Sequence, residues 1–226
     1  MVDGSRVDSY LHSLLRGDRR MALSVVDAAL AGGVSIDEIQ EGIIRESQRR
    51  IGALWEQDVI GVADEHMATA ITEQALTHLH EGVLPAMLKD ERILVACVEG
   101  ETHELPARMV ADLLDLAGYN VRFLGANVPT RSLPAMVGQF RPHVLALSVT
   151  MAPNLRQLGP AIRAAIAASP AMLVAVGGRA VGDARQVVRP AGTEIVTAPD
   201  ARSLARLIDG RFGSAPAFPA PSPAAA

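Results

Sequence analysis

Apolar residues recur at helical spacing over the first eighty or so positions, and after residue 91 they gather into short continuous blocks. Leu11, Leu14 and Leu15 begin one amphipathic face. Asp18 is placed to cap a second helix through RRMALSVVDAAL that stops at Gly32-Gly33, because a short polar acceptor opens a helix and glycine closes it. Ser35 followed by Glu38 makes a capping box for a third helix, which runs through Ile39, Ile43, Ile44 and Ile51 toward Trp55. A fourth spans roughly Val62 to His80, and the break at Gly61 sets it beside the third. Four helices with short connections predict a bundle over residues 1–88, with EGVLPAMLKDER as the linker that follows.

Beyond the linker the order becomes strand, loop, helix, repeated. Strands are expected at Ile93 to Val98, Val121 to Leu124, Val144 to Val149, Met172 to Val176 and Glu194 to Val196, with helices in the gaps. Several are apolar without interruption, as suits parallel strands covered on both faces. The predicted class is therefore α/β: a four-helix bundle, then a doubly wound, flavodoxin-like sheet of five parallel strands over residues 91–212. Ligands on such sheets bind at the carboxyl ends of the strands, near the point where strand order reverses. The Pro- and Ala-rich stretch GSAPAFPAPSPAAA, residues 213–226, is expected to be a disordered extension.

Composition narrows the function classes. A chain of 226 residues, 49% hydrophobic and 3% aromatic, suits one or two compact domains. The single cysteine, Cys97, lies inside an apolar run and excludes an intramolecular disulfide. The opening MVDGSRVDSY has neither a basic start nor an apolar stretch, and no run approaches a membrane span, so a cytoplasmic location without membrane contact is expected. A net charge of -4 gives no general footprint for nucleic acid. Arg45, Arg49 and Arg50 form a local basic patch, read either as solvated helix surface or as a contact for an acidic partner.

One of the six histidines, His103, stands in VEGETHELPARM between two glutamates, directly after the first strand. One reading is metal ligation, with one imidazole nitrogen on the metal and the other donating to a carboxylate, for which Glu101 is placed. The other is a solvated loop histidine. No cysteine or second histidine stands at zinc-ligand spacing, so a metal here must bring most of its own ligands.

That requirement points to a macrocycle, and the chain resembles cobalamin-binding domains. The family pattern is Asp-x-His-x-x-Gly after the first strand, Ser-x-Leu or Ser-x-Thr at the third and Gly-Gly at the fourth. Here it is matched by Glu101-Thr102-His103-Glu104-Leu105-Pro106, Ser148-Val149-Thr150 and Gly177-Gly178, and FLGANVPT from Phe123 also looks typical. The resemblance implies that the corrin lies over the sheet rim, with His103 as the lower cobalt ligand in place of the cofactor's own base. It also implies a nucleotide tail in a slot lined by Ser148, Thr150, Gly177 and Gly178, with Glu101 and Thr102 in the histidine loop. Two positions depart from the pattern: Glu101 stands for Asp, and Pro106 stands for Gly. Glutamate keeps the acceptor with a longer reach, and proline suits a first helical turn while adding bulk near the corrin.

In the helical half, Trp55 is followed after nine residues by Glu65-His66. This resembles the Trp-x9-Glu-His signature of light-sensing adenosylcobalamin proteins, the CarH family of transcriptional regulators. The resemblance implies that Trp55 covers the adenosyl group and that Glu65 and His66 hydrogen-bond its ribose or adenine. The histidine that follows the tryptophan in that family, and captures cobalt after illumination, is replaced here by Glu56. The family's N-terminal DNA-binding domain is not expected, since the bundle starts within the first residues. The expectation is thus a non-enzymatic adenosylcobalamin photoreceptor that binds no nucleic acid directly. It would signal through a shape or homo-oligomer change to a separate transcription regulator or other signalling protein, as stand-alone cobalamin-binding antirepressors such as AerR do. The alternatives are a methyl-carrying corrinoid protein of a methyltransferase system and a cobalamin storage or delivery protein.

Overall fold

The computed structural model describes residues 4–81, 83, 85, 87–182 and 194–213. The tail expected to be disordered lies, from residue 214 onward, outside the described residues. So do residues 183–193, where the pattern predicts a helix between the last two strands. The chain divides into two compact units, Met1–Val83 and Leu84–Ala226.

The first unit is a helical bundle of α1 (Gly4–Leu15), α2 (Arg19–Ala31), α3 (Ile36–Ile39), a π-helical turn (Gln40–Arg45), α4 (Glu46–Glu56) and α5 (Val62–His80). Its ends follow local chemistry. The Asp18 carboxylate accepts from the Met21 N–H at 3.0 Å, and Glu38 accepts from the Ser35 N–H at 3.4 Å. The third sequence helix is thus α3 and α4 joined by a π turn, a difference with a physical reason. The wider turn re-phases the inward positions and seats the fully buried Gln40, whose Oε1 lies 2.9 Å from His80 Nε2. Tyr10, Leu14, Val26, Ile43, Ile44, Ile51 and Leu76 fill the centre of the unit.

The second unit is a five-stranded parallel sheet of β1 (Arg92–Cys97), β2 (Asn120–Phe123), β3 (Val144–Ser148), β4 (Leu173–Gly177) and β5 (Ile195–Thr197), ordered β2-β1-β3-β4-β5. Between them run α6 (Leu105–Leu116), α7 (Leu133–Phe140) and α8 (Leu155–Ala168), and α9 (Ala201–Phe212) follows β5. The apolar blocks are explained by two cores. Leu94, Ala96, Leu145, Leu147, Val174 and Val176 face α7 and α8, while Ile93, Val95, Val144, Ala146, Leu173 and Ala175 face α6 and α9. The segment leading into β1 is fastened to this unit. Lys89 Nζ sits 2.7 Å from Asp209 Oδ1 and 4.3 Å from the Tyr119 ring centre.

Strand order reverses between β1 and β3, whose carboxyl ends are in register. Cys97 pairs with Ser148, and Ser148 with Gly177. Three neighbouring strands thus deliver the histidine loop, Ser148 and Gly177 to one edge.

Candidate cobalt-ligand site

Glu101 organises that edge. Its side chain is fully buried, and five hydrogen bonds end on it. Oε2 accepts from the Thr150 N–H at 2.9 Å, the Met151 N–H at 2.8 Å and Asn154 Nδ2 at 3.1 Å. Oε1 accepts from the His103 N–H at 3.0 Å and lies 2.7 Å from His103 Nδ1. Burial pushes the carboxyl up, but the donors from Met151, Asn154 and His103 outweigh it and hold it below the usual carboxylate range. An ionised carboxylate can only accept, so Nδ1 carries the hydrogen and Nε2 keeps its lone pair. The ring is 44% exposed. A buried anion thus fixes the tautomer and pose of an accessible imidazole, the arrangement that makes histidine a metal ligand.

The surrounding donors select the kind of metal group. Among the described residues no three His, Cys, Asp or Glu side chains gather to hold an ion. Cys97, next to the loop, offers no thiolate. Burial, with the charges of Glu101 and Glu104 adding to it, pushes its thiol up to about 12. A single nitrogen donor fits a metal whose other positions a macrocycle fills. Thr150 Oγ1 is buried without a hydrogen-bond partner, a polar atom awaiting one. Beside it, Thr150, Met151, Ala152, Pro153, Arg179 and Ala180 line an open cavity of about 290 Å³. These residues fit cobalamin: His103 would hold its cobalt, and Thr150 with the adjoining cavity would receive a polar appendage.

Thr102 is exposed in the same loop, and Ser148 is buried at the end of β3. The two glycines serve the chain's own backbone: a Cβ at Gly178, where φ is +99°, would lie 2.3 Å from the Val149 carbonyl oxygen, and one at Gly177 would lie 2.9 Å from that of Ala198. Pro106 occupies the first turn of α6, where its missing N–H costs no helical bond. Residues without a family signal complete the site. Glu104 accepts from the Ala126 N–H at 2.8 Å, Glu99 from the Thr130 N–H at 3.0 Å, and Asn127 Oδ1 from the Gly100 N–H at 2.7 Å. For Asn127 a signal exists, since asparagine between glycine and proline in FLGANVPT favours the left-handed region, where it sits at φ +48°.

The other expected residues belong to the bundle unit. Trp55, in the last turn of α4, is 39% exposed. Near the start of α5, Glu65 Oε1 accepts from Thr69 Oγ1 at 3.0 Å, and Oε2 lies 2.7 Å from Nδ1 of the exposed His66. Five residues, 57–61, join the two helices and bring this set to one end of the bundle. The arginine patch is paired: Arg45 with Glu41, Arg49 with Glu46, and Arg50 with Glu46 and Asp8. No helix among the described residues is long and apolar enough to cross a membrane.

Comparison with known proteins agrees with this chemistry. The family model described as B12 binding domain matches residues 91–207, and a second with the same description matches residues 6–80. The HTH-type transcriptional repressor CarA of Myxococcus xanthus is 33% identical over 119 residues, 53% of this chain and 41% of that protein. Trimethylamine corrinoid protein 1 of Methanosarcina acetivorans is 26% identical over 141 residues, 59% of this chain and 63% of that one. The chain thus spans less than two thirds of either curated relative. The monomethylamine corrinoid protein of Methanosarcina barkeri shares the fold, with a TM-score of 0.73 over 92% of this chain and 98% of that chain at 17% identity. The match over residues 91–207, more than half of the chain, together with the carboxylate-held imidazole at the switch point, leads to one assignment: this is a cobalamin-binding protein of the B12-binding domain family.

Proposed function

We propose that the chain is an adenosylcobalamin-dependent light sensor that signals to a separate partner. The observation that carries the reading is the pairing, in one bundle, of the half-exposed Trp55 indole with the hydrogen-bonded Glu65–His66 pair. An indole face and polar hydrogen-bonding groups have a use with an adenosyl ligand; a methyl group cannot hydrogen-bond. Bound cobalamin would supply a cobalt–carbon bond that green light breaks. His103 would hold the cobalt from below, while Trp55, Glu65 and His66 would favour the adenosyl form and lose their contacts when it leaves. That loss shifts the population of conformations, which is the signal. The similarity to a transcriptional repressor supports a regulatory output.

A second reading has its own support in the similarity to trimethylamine corrinoid proteins: a methyl-carrying corrinoid protein that works with a methyltransferase. One experiment separates the two. The purified chain is loaded in the dark with adenosylcobalamin or methylcobalamin, then illuminated while absorption and sedimentation are followed. A sensor prefers the adenosyl form and changes shape or oligomeric state with photolysis. Equal affinity for the two forms, with photolysis that leaves sedimentation unchanged, would establish the methyl carrier instead.

A further inference from the structure

The histidine loop is held from two sides, and only one of them is the side chain of Glu101. On the second side stands Asn127, in the loop between β2 and α7. Its Oδ1 accepts from the Gly100 N–H at 2.7 Å, and its own N–H donates to the Glu101 carbonyl oxygen at 2.7 Å. Both residues that meet there lie in the left-handed region, Gly100 at φ +84° and Asn127 at φ +48°. The next hydrogen bonds along the same loop also end on the histidine segment or the strand before it. Ala126 N–H donates to Glu104 Oε2 at 2.8 Å, and Val128 N–H donates to the Cys97 carbonyl at 3.2 Å. Meanwhile the Glu101 carboxylate is fixed by Thr150, Met151 and Asn154 from the β3–α8 loop.

We infer that Asn127 is a positioning residue for the cobalt-ligating imidazole: it clamps the Gly100–Glu101 peptide, so that the carboxylate, and the His103 ring bonded to it, take one pose. The inference rests on His103 being the lower ligand. The physical argument concerns freedom at a turn. Gly100 samples left- and right-handed backbone with little penalty, so a peptide beginning there rotates unless something outside the loop stops it. Asn127 supplies that stop from both sides of the peptide. Asparagine also tolerates the left-handed backbone that aims its amide there, as most residues do not. Aspartate shares both properties; glycine keeps the backbone but has no acceptor.

The test uses the full chain, labelled with the spin-one-half isotope of nitrogen, loaded with cobalamin and reduced to cobalt(II). Superhyperfine splitting in its electron paramagnetic resonance spectrum then distinguishes a protein nitrogen on cobalt from the cofactor's own base. For Asn127→Gly, the ratio of protein-ligated to unligated cobalt should fall about 3- to 10-fold, the scale of one hydrogen bond. Asn127→Asp should stay within about 2-fold of the unmodified chain, since the acceptor is retained. His103→Ala is the reference and should abolish the protein-nitrogen signal. If His103→Ala keeps that signal, the ligand reading and the inference fall together. If His103→Ala loses it while Asn127→Gly matches the unmodified protein, or Asn127→Asp loses as much as Asn127→Gly, the positioning role of Asn127 is refuted and the ligand reading stands.

Discussion

Five hydrogen bonds on one buried carboxylate make Glu101 intolerant of even an isosteric change. Both oxygens face donors, so the amide of a glutamine must point its NH2 at an N–H whichever way it turns. Glu101→Gln should cost about 1–3 kcal/mol of stability, the penalty of a buried donor left facing a donor. It should also weaken cobalamin binding by about 10- to 100-fold, as loss of a ligand-orienting partner does. His103→Ala removes the ligand itself and should weaken binding further, or return the cofactor to its own base, with little change in thermal stability because the ring is 44% exposed. Absorption titrations and melting curves on the two variants check both statements. The Glu101-x-His103 unit was legible in the sequence because the contact is local, two residues apart. The Thr150, Met151 and Asn154 donors were not, since 49 to 53 residues separate them from Glu101 and only the β1–β3 register joins them. For Gly177-Gly178 the motif was visible, but its reason was not: close backbone neighbours such as Val149 exist only once β3 and β4 are paired.

The elements were more legible than the contacts between them. Helices α1, α2 and α5 and strands β1 to β5 follow from apolar period and capping residues, with strand ends differing by about one residue. The π turn gave no signal, because it answers a tertiary demand, the seating of Gln40 against His80. A second buried polar contact sets a testable property of the bundle. Tyr10 is fully buried on α1, and its hydroxyl donates to Thr72 Oγ1 of α5 at 3.3 Å. Burial pushes that hydroxyl up to about 12, with the bond to Thr72 pulling the other way. A raised folded-state value favours the protonated form, so its contribution is complete below the ordinary value of 10.0 and disappears as pH climbs toward 12. The unmodified protein should therefore lose on the order of 2–3 kcal/mol between those limits that Tyr10→Phe does not lose. At neutral pH the variant should be less stable by about 1 kcal/mol, the worth of one hydrogen bond, since Gln48 still donates to Thr72. Denaturant unfolding of both proteins across this range reads the difference directly, because groups common to both cancel.

At the scale of the whole molecule, the bundle and the sheet carry complementary chemistry, and the exchange of one residue decides what the sensor does after light. Glu56 ends α4 on its exposed side, at the position where the resembled photoreceptors place a cobalt-capturing histidine. A carboxylate is a harder donor than imidazole and keeps its hydration at an exposed helix end, so it competes poorly for cobalt. On the proposed sensor reading, the illuminated state should carry water or hydroxide on the upper face, and its absorption should titrate with pH as that ligand gains or loses a proton. Glu56→His should replace this with an adduct whose spectrum no longer depends on pH and which reverses slowly. The competitor is His66, whose Nδ1 is held by Glu65 at 2.7 Å just as that of His103 is held by Glu101, so its Nε2 is likewise the nitrogen left to ligate. Nitrogen superhyperfine structure or a crystal structure of the illuminated, unmodified protein with imidazole on both faces would overturn the water-ligated state. Loss of the upper nitrogen in His66→Ala would then assign the capture to that residue. A pH-dependent spectrum that persists in His66→Ala and vanishes in Glu56→His is the outcome that the exposed carboxylate predicts.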